Sequence, residues 1–186
     1  FLAVAAPSGA LLRRLGRSDA EPGRREAVAT VLLTWLLAPL VSTVPYLVDL
    51  RLPFDQAVFE SMSGFTSTGA TVLTTFETLP RSLLLWRAVT QWMGGIGIIV
   101  LFVAVFPQLS IAGRQMFFTE LPGVSDERVT PRLRSTAAAV LSVYTGLTVL
   151  CTAAFALRGM PFTEALGHAL TTVSAGGFAM HGDGLA

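Results

Sequence analysis

Charged residues are scarce in this sequence. They make up 13% of its 186 residues, whereas soluble domains carry about a quarter. Lysine is absent, and the 13 basic residues, all arginine, are spread among predicted turns instead of gathered on one face. We therefore expect no nucleic-acid partner. With 52% hydrophobic residues and a mean hydropathy of +0.63, the composition is typical of a membrane protein.

Cysteine is also nearly absent. The one cysteine, Cys151, lies in an apolar run, which excludes a disulfide framework within the chain and favours a buried, inert thiol. The sequence begins at Phe1 without an initiating methionine, so we expect the chain to be a fragment of a longer protein.

Long apolar runs, by contrast, are present. Residues 27–48, 83–106 and 135–157 are each long enough to cross a bilayer core of about 30 Å as a helix. Pro39 and Pro45 predict bends in the first of these spans, which neighbouring helices must accommodate.

Arginine-rich connections separate the spans. We expect residues 1–26 to hold the end of a preceding helix followed by a cytoplasmic linker, and residues 107–134 to form a second cytoplasmic linker. The side is assigned by the tendency of basic loops to stay in the cytoplasm. The arginines concerned are Arg13, Arg14, Arg17, Arg24, Arg25, Arg114, Arg128, Arg132 and Arg134.

Residues 54–71 cannot cross a membrane. Their first part, 54–65, predicts a helix that is too short to span, at about 1.5 Å per residue. The second part, 66–71, is small, polar and interrupted by Gly69, which favours an extended loop. Non-helical backbone at membrane depth needs protein or a wet cavity around it, and a row of carbonyls there can replace the hydration shell of a cation. We interpret this stretch as a re-entrant pore helix and filter loop. A plain surface loop is the alternative for a single copy.

A second copy favours the pore interpretation. Pro161 repeats Pro53 at a spacing of 108 positions, and the same spacing places Gly177 on Gly69. Repeats at fixed spacing indicate one structural unit used twice. The sequence therefore predicts an all-α membrane protein with two units. The first unit is 27–106. The second is 135–186, incomplete, with a pore helix at 162–173 and a filter at 174–178.

Backbone carbonyls are the candidate ion ligands. An extended glycine-containing loop can direct successive carbonyls towards one axis, and four such loops form a ring. This chain offers two. The residues we expect to contact the ion are Ser67, Thr68, Gly69, Ala70, Ala175, Gly176, Gly177 and Phe178.

Three ionisable residues lie near the predicted pore helices. Glu164 and His168 are four apart and suggest a metal or proton site, although hydrogen bonding behind the filter is the interpretation we favour. Glu60, which aligns with His168, is expected to brace the first filter. Asp55 and Thr163 are candidates for capping the free N–H groups at the helix starts.

Two further functions remain open on these residues. An intramembrane enzyme would use Glu164, His168 and a loop serine, although no zinc motif or nucleophile triad is present. A purely structural helical subunit of a larger membrane complex is the other alternative. The cluster Gly94-Gly95-Ile96-Gly97 has the wrong spacing for a dinucleotide site and instead predicts close packing of helices.

The sequence resembles the TrkH/KtrB potassium-uptake proteins. The resemblance is carried by residues 59–71 (FESMSGFTSTGAT), 86–97 (WRAVTQWMGGIG) and 171–178 (TTVSAGGF), and it extends over nearly the whole chain. It implies helix–re-entrant pore loop–helix units of potassium-channel type, four to a subunit, in the cytoplasmic (inner) membrane of a bacterium as a multi-pass protein.

The resemblance also implies the transported ion and the partners. It implies a potassium transporter that is not an enzyme and has no covalent cofactor, with K⁺ as the transported ion. The expected partners are a second copy in a homodimer, a cytosolic nucleotide-binding regulatory subunit of the TrkA/KtrA type, and membrane lipid.

Overall fold

The computed structural model describes residues 24–76, 78–118 and 130–180. These residues form helices and connecting loops, with no strand among them. The chain divides into two compact units, residues 1–35 and 36–186. The described part of the first unit is the helical stretch 24–35. The predictions for residues 1–23, 119–129 and 181–186 lie outside the described residues.

Six helices follow one another along the described chain. They are α1 (Arg24–Ser42), α2 (Val44–Asp49), α3 (Phe54–Phe65), α4 (Arg81–Phe118), α5 (Thr130–Leu157) and α6 (Phe162–Val173). Within the second unit, α4 contacts α3, α5 and α6, and α6 also packs on α5. Helix α4 is therefore the element against which both short helices, α3 and α6, are placed.

A break at Thr43 separates α1 from α2 and anchors α3. Pro45 lies at the start of α2, where its missing N–H costs no helical hydrogen bond. The Thr43 amide donates a hydrogen bond to Leu40 O at 3.3 Å, instead of the α-helical hydrogen bond to Pro39 O. The freed Pro39 carbonyl accepts a hydrogen bond of 2.6 Å from the buried Ser61 hydroxyl of α3. The neighbouring helix thus satisfies the polar group that the bend exposes.

The buried core of this region joins α2, α3 and the start of α4. Tyr46, Ala57 and Leu83 are each almost fully buried, with Trp86 and Leu79 packed around them. Burying apolar side chains from three helices in one cluster fixes the position of α3 relative to α4.

Two helical segments are long and apolar enough to cross a membrane, among the residues described. They are Leu32–Asp49, with a mean hydropathy of 1.4, and Ser135–Leu157, with 1.9. Large apolar side chains of α5 face outward, with Val143 61% and Leu150 67% exposed. The predicted span 83–106 lies inside α4, whose 38 residues are long enough at about 1.5 Å each to exceed a bilayer core.

The segment 107–134, predicted as a cytoplasmic linker, is helical at both of its ends, and its assignment to a linker stays a prediction. Helix α4 continues through Pro107 to Phe118, and α5 begins at Thr130 instead of Ser135. Proline removes one helical hydrogen bond and bends a helix, but it does not by itself end a long one. The two helices therefore extend into the segment that the sequence assigned to a linker.

The expected capping by Asp55 and Thr163 is wrong. Pro53 and Pro161 occupy the N-cap positions of α3 and α6, and neither helix has a side-chain cap hydrogen bond. Asp55 lies in the first turn of α3, beyond the cap position, where its charge still suits the positive end of the helix dipole.

Candidate functional site

Two short helices, each followed by a loop, form the candidate site. Helices α3 and α6 have 12 residues each, and proline precedes both with nearly the same backbone angles, φ −54° and ψ 148° at Pro53 and φ −53° and ψ 141° at Pro161. We call residues 66–71 loop 1 and residues 174–178 loop 2. The structure therefore has helices at both predicted pore-helix positions, and their assignment to a pore stays a prediction.

The two helices end with the same hydrogen bonds. In each, the first loop residue donates its amide to the carbonyl four positions back, and the third loop residue donates to the carbonyl five positions back. These bonds are Thr66 N to Met62 O (2.9 Å) and Thr68 N to Ser63 O (3.0 Å) in the first copy, and Ser174 N to Leu170 O (3.2 Å) and Gly176 N to Thr171 O (2.8 Å) in the second.

The loops also share an unusual backbone conformation. Ser67 and Gly69 have positive φ angles of 54° and 75°, and the positions 108 residues later, Ala175 and Gly177, have 52° and 75°. An L residue with a side chain rarely adopts this conformation. A backbone in which residues of positive φ alternate with residues of negative φ can turn successive carbonyls towards one side of a loop.

The two loops meet at their glycines. A Cβ atom on Gly69 would overlap the Gly176 carbonyl oxygen and lie 3.1 Å from Gly177 Cα. The carboxyl ends of α3 and α6 therefore point towards a common region, and these are the negative ends of the helix dipoles. Such an arrangement favours a cation over an anion.

Loop 1 is held by its own helix. Ser63 donates its hydroxyl to Ala70 O at 2.6 Å. Glu60 Oε1 accepts hydrogen bonds from the Thr71 hydroxyl and the Val72 amide, both at 2.6 Å. Glu60 thus braces the end of loop 1, as the sequence predicted for it.

A buried ion pair lies behind loop 1. Arg87 Nη2 of α4 is 3.3 Å from Glu60 Oε2, with both side chains at most 1% exposed, and it donates to the Thr71 hydroxyl at 3.0 Å. The Arg87 guanidinium lies 5.1 Å from the ring centre of Phe76 and 4.1 Å from that of Phe178. The same guanidinium therefore contacts residues from both copies.

Gln91, one turn further along α4, holds loop 2. Its Nε2 donates to Gly176 O, and its Oε1 accepts from the Phe178 amide at 3.3 Å. Its backbone carbonyl accepts a hydrogen bond of 3.4 Å from the Ser67 hydroxyl of loop 1. Gln91 is fully buried, and it contacts both loops.

Glycines allow α4 to approach its neighbours closely. A Cβ on Gly94 would overlap the Phe65 backbone at the end of α3, and one on Gly95 would overlap the Tyr144 hydroxyl of α5. The Gly94-Gly95 pair therefore fits the close packing that the sequence predicts at this cluster.

The structure does not join Glu164 and His168 into a metal site. Glu164 pairs with Arg81 at 3.6 Å, and the ring centre of His168 lies 6.1 Å from that of Phe155. The two serines of the loops are also engaged, because Ser174 donates to Leu170 O and Thr171 O and Ser67 donates to Gln91 O. In the part of the chain that the structure describes, no group of three or more His, Cys, Asp or Glu residues could hold a metal ion.

Sequence reasoning missed Arg87 and Gln91 as site residues. Both are polar residues within the predicted apolar span 83–106, and they are four positions apart and therefore on one face of the helix. The rule that ionisable or polar residues at membrane depth are functional candidates directed attention to Glu60, Glu164 and His168. Applied to α4, the same rule would have identified Arg87 and Gln91 too.

Comparisons with known proteins identify the family of the chain. The family model for "TrkH: Cation transport protein" matches residues 1–186. The chain is similar to the Trk system potassium uptake protein TrkH of Halomonas elongata, with 39% identity over 97% of this chain and 38% of that protein. It is similar to the Trk system potassium uptake protein TrkG of Escherichia coli, with 38% identity over 87% of this chain and 34% of that protein. The crystal structure of the potassium transporter TrkH from Vibrio parahaemolyticus superposes with a TM-score of 0.72 and 35% identity, over 89% of this chain and 32% of that one.

The family model covers all of the chain and defines its class. The chain belongs to the TrkH family of cation transport proteins. It spans 38% of the length of the Halomonas protein, so it corresponds to a part of such a transporter. The relatives are named as proteins of a Trk system, which implies more than one component.

Proposed function

We propose that this chain forms part of the pore of a potassium-uptake transporter and supplies two of the four loops of its selectivity filter. Loop 1 and loop 2 would enter the membrane from its outer side and present backbone oxygens to a dehydrated K⁺. The other two loops would come from parts of the transporter beyond this chain.

The repeated backbone geometry of the loops is the observation that carries this proposal. Positive φ angles occur at residues 67 and 69 of loop 1 and at the equivalent residues 175 and 177 of loop 2. Both loops directly follow helices of equal length. Nothing in a plain surface loop requires the same rare conformation in two copies. A filter does require it, because each loop must supply carbonyls to the same ring. The close approach of Gly69 to Gly177 further supports a shared ion path.

The proposed ion contacts are the backbone carbonyls of the eight loop residues named from sequence. Two of these oxygens already accept hydrogen bonds, Ala70 O from Ser63 and Gly176 O from Gln91. A carbonyl oxygen has two lone pairs, so both can still contact an ion. The eight residues are Ser67, Thr68, Gly69, Ala70, Ala175, Gly176, Gly177 and Phe178.

The enzyme alternative has little support from the side chains. Glu164 forms an ion pair with Arg81, and the Ser174 hydroxyl donates to backbone carbonyls of its own helix. His168→Ala distinguishes the two functions, because an enzyme would lose its activity with ion flux unchanged. A structural subunit would tolerate changes at the loop glycines without loss of flux.

Membership of the family supports the remaining proposals. We propose a multi-pass protein of the bacterial inner membrane that forms a homodimer and binds a cytosolic nucleotide-binding regulatory subunit of the TrkA/KtrA type. Cross-linking of the intact protein in membranes, followed by identification of the partners, tests both associations. Recovery of monomers without a regulatory subunit would contradict them.

Gly177→Ala in the intact protein tests the function with little steric disturbance. A Cβ there would lie 3.8 Å from Gly69 Cα, an ordinary contact, so the change acts through the backbone at φ 75°. The left-handed conformation costs a residue with a side chain about 1–2 kcal/mol, and about 1.4 kcal/mol corresponds to a factor of ten. We expect K⁺ uptake, measured in cells lacking other uptake systems, to fall about tenfold.

Gly159→Ala is the matched control. Gly159 has φ 92° with open space around it, and it lies in the turn before α6, outside both loops. The same backbone strain there is expected to leave uptake unchanged at equal protein level in the membrane. Normal uptake by Gly177→Ala, or equal losses in both variants, would contradict the proposed function.

A further inference from the structure

The two loops are held in different ways, although their backbones repeat. Loop 1 has braces from its own helix, since Ser63 bonds Ala70 O and Glu60 bonds the Thr71 hydroxyl and the Val72 amide. The residue of α6 that corresponds to Ser63 is Thr171. Its hydroxyl donates to His168 O within α6 at 3.1 Å instead of reaching loop 2.

Loop 2 is braced by the preceding unit. The Gln91 side chain donates to Gly176 O and accepts from the Phe178 amide. A donor and an acceptor that meet residues two apart reproduce the hydrogen bonds of a neighbouring strand. One amide therefore replaces a backbone partner for loop 2, across 85 positions of sequence.

Gly176 is shaped to receive this side chain. A Cβ on Gly176 would overlap the Gln91 amide group. Gly176 does not share the positive φ of Gly177, so its missing side chain makes room for Gln91. Because the Ser67 hydroxyl donates to the backbone oxygen of Gln91, this residue also lies at a fixed position relative to loop 1.

We propose that Gln91 is a positioning residue for ion selection, which fixes the carbonyls of loop 2 at a set distance from those of loop 1. This inference rests on the proposed filter function and assigns part of its geometry to one side chain of α4. An amide that bridges Gly176 O and Phe178 N keeps loop 2 from widening or narrowing when ions of different size occupy it. Selectivity between K⁺ and Na⁺ thus depends on a residue that does not itself contact the ion.

Gln91→Leu and Gln91→Glu in the intact protein test the proposal. Leucine removes both hydrogen bonds, while glutamate keeps the acceptor for Phe178 N but directs a second oxygen at Gly176 O. We expect both variants to raise the KM for K⁺ at least tenfold and to lower the ratio of K⁺ to Na⁺ uptake by a similar factor. A purely structural role would reduce the amount of protein in the membrane and leave both quantities unchanged per molecule.

Matched variants complete the test. Gln56→Leu and Gln56→Glu make the same chemical changes at a half-buried glutamine of α3, and we expect a normal KM and ion preference from them. Gly176→Ala disrupts the same hydrogen bond, because its new Cβ would overlap the Gln91 amide group. It should reproduce the effect of Gln91→Leu, so the proposal stays testable if one Gln91 variant fails to fold.

The outcomes separate the two levels of the proposal. Loss of uptake in Gly177→Ala together with normal KM and ion preference in the Gln91 and Gly176 variants would overturn only the role of Gln91. Normal uptake in Gly177→Ala would overturn the filter function as well.

Discussion

Removal of one partner of the Glu60–Arg87 pair is expected to destabilise the protein strongly. The two groups are 3.3 Å apart and at most 1% exposed, so either one left alone becomes an uncompensated buried charge. Arg87→Met removes the ion pair, the bond to Thr71 and the contacts with the Phe76 and Phe178 rings. Breaking a buried pair from one side costs about 3–5 kcal/mol. Glu60→Gln is expected to cost a similar amount, because it leaves the guanidinium without its counter-charge.

The double variant Glu60→Gln/Arg87→Met is expected to be more stable than either single variant. It removes both charges, and the amide oxygen introduced at position 60 can still accept from the Val72 amide. The remaining loss is about 1–2 kcal/mol, since the Thr71 hydroxyl loses its hydrogen bond from a charged donor. With about 3–5 kcal/mol lost in each single variant, the coupling energy between the two sites is therefore at least about 4 kcal/mol.

The measurement is the free energy of unfolding of the intact protein by denaturant titration in mixed micelles. The pair Arg81–Glu164 supplies a control in the same chain, because the Arg81 side chain is 75% exposed. The corresponding cycle of Arg81→Met and Glu164→Gln should give a coupling below about 1 kcal/mol. Equal coupling in the two cycles, or losses under about 1 kcal/mol in the Glu60 and Arg87 single variants, would refute the reasoning.

Three further predictions concern packing. Gly94→Val should prevent correct folding, because the new side chain would overlap the Phe65 backbone. Gly146→Val is the control and should fold normally, because nothing lies within 4 Å of a Cβ at that position. Size-exclusion profiles of the two variants in detergent would show the difference. Ser61→Ala should lower the unfolding free energy by about 1–3 kcal/mol, since Pro39 O loses its bond, and an unchanged value would count against the anchor. Gly64→Val should also destabilise the packing of α3 on α4, because a Cβ there would overlap the Thr90 hydroxyl. An unchanged melting temperature would contradict this prediction.

Local features of the fold could be predicted from the sequence. A proline before each short helix and small polar residues after it predict helices 54–65 and 162–173, and the structure has helices with these bounds. The repeat spacing of 108 positions also aligns the residues with positive φ. These features depend on neighbouring residues, which a single sequence contains directly.

Long-range contacts could not be predicted in the same way. The bond from Gln91 to Gly176 depends on how α4 lies against α6, and nothing local to either residue specifies that packing. The continuation of α4 through Pro107 to Phe118 is a related case, because a proline in an apolar run does not by itself show whether the helix ends there. Polar residues such as Arg87 and Gln91 within an apolar helix predict that partners exist, but not which ones.

Location of the bound ion tests the central claim most directly. Crystals or cryo-cooled specimens of the intact protein with Rb⁺ in place of K⁺ would show where the ion binds through its anomalous scattering or its density. We expect Rb⁺ within coordination distance of backbone carbonyls of Gly69 in loop 1 and Gly177 in loop 2, displaced by excess K⁺. Rb⁺ held only by side chains elsewhere, with both loops free of ions, would contradict the assignment of these loops to a filter.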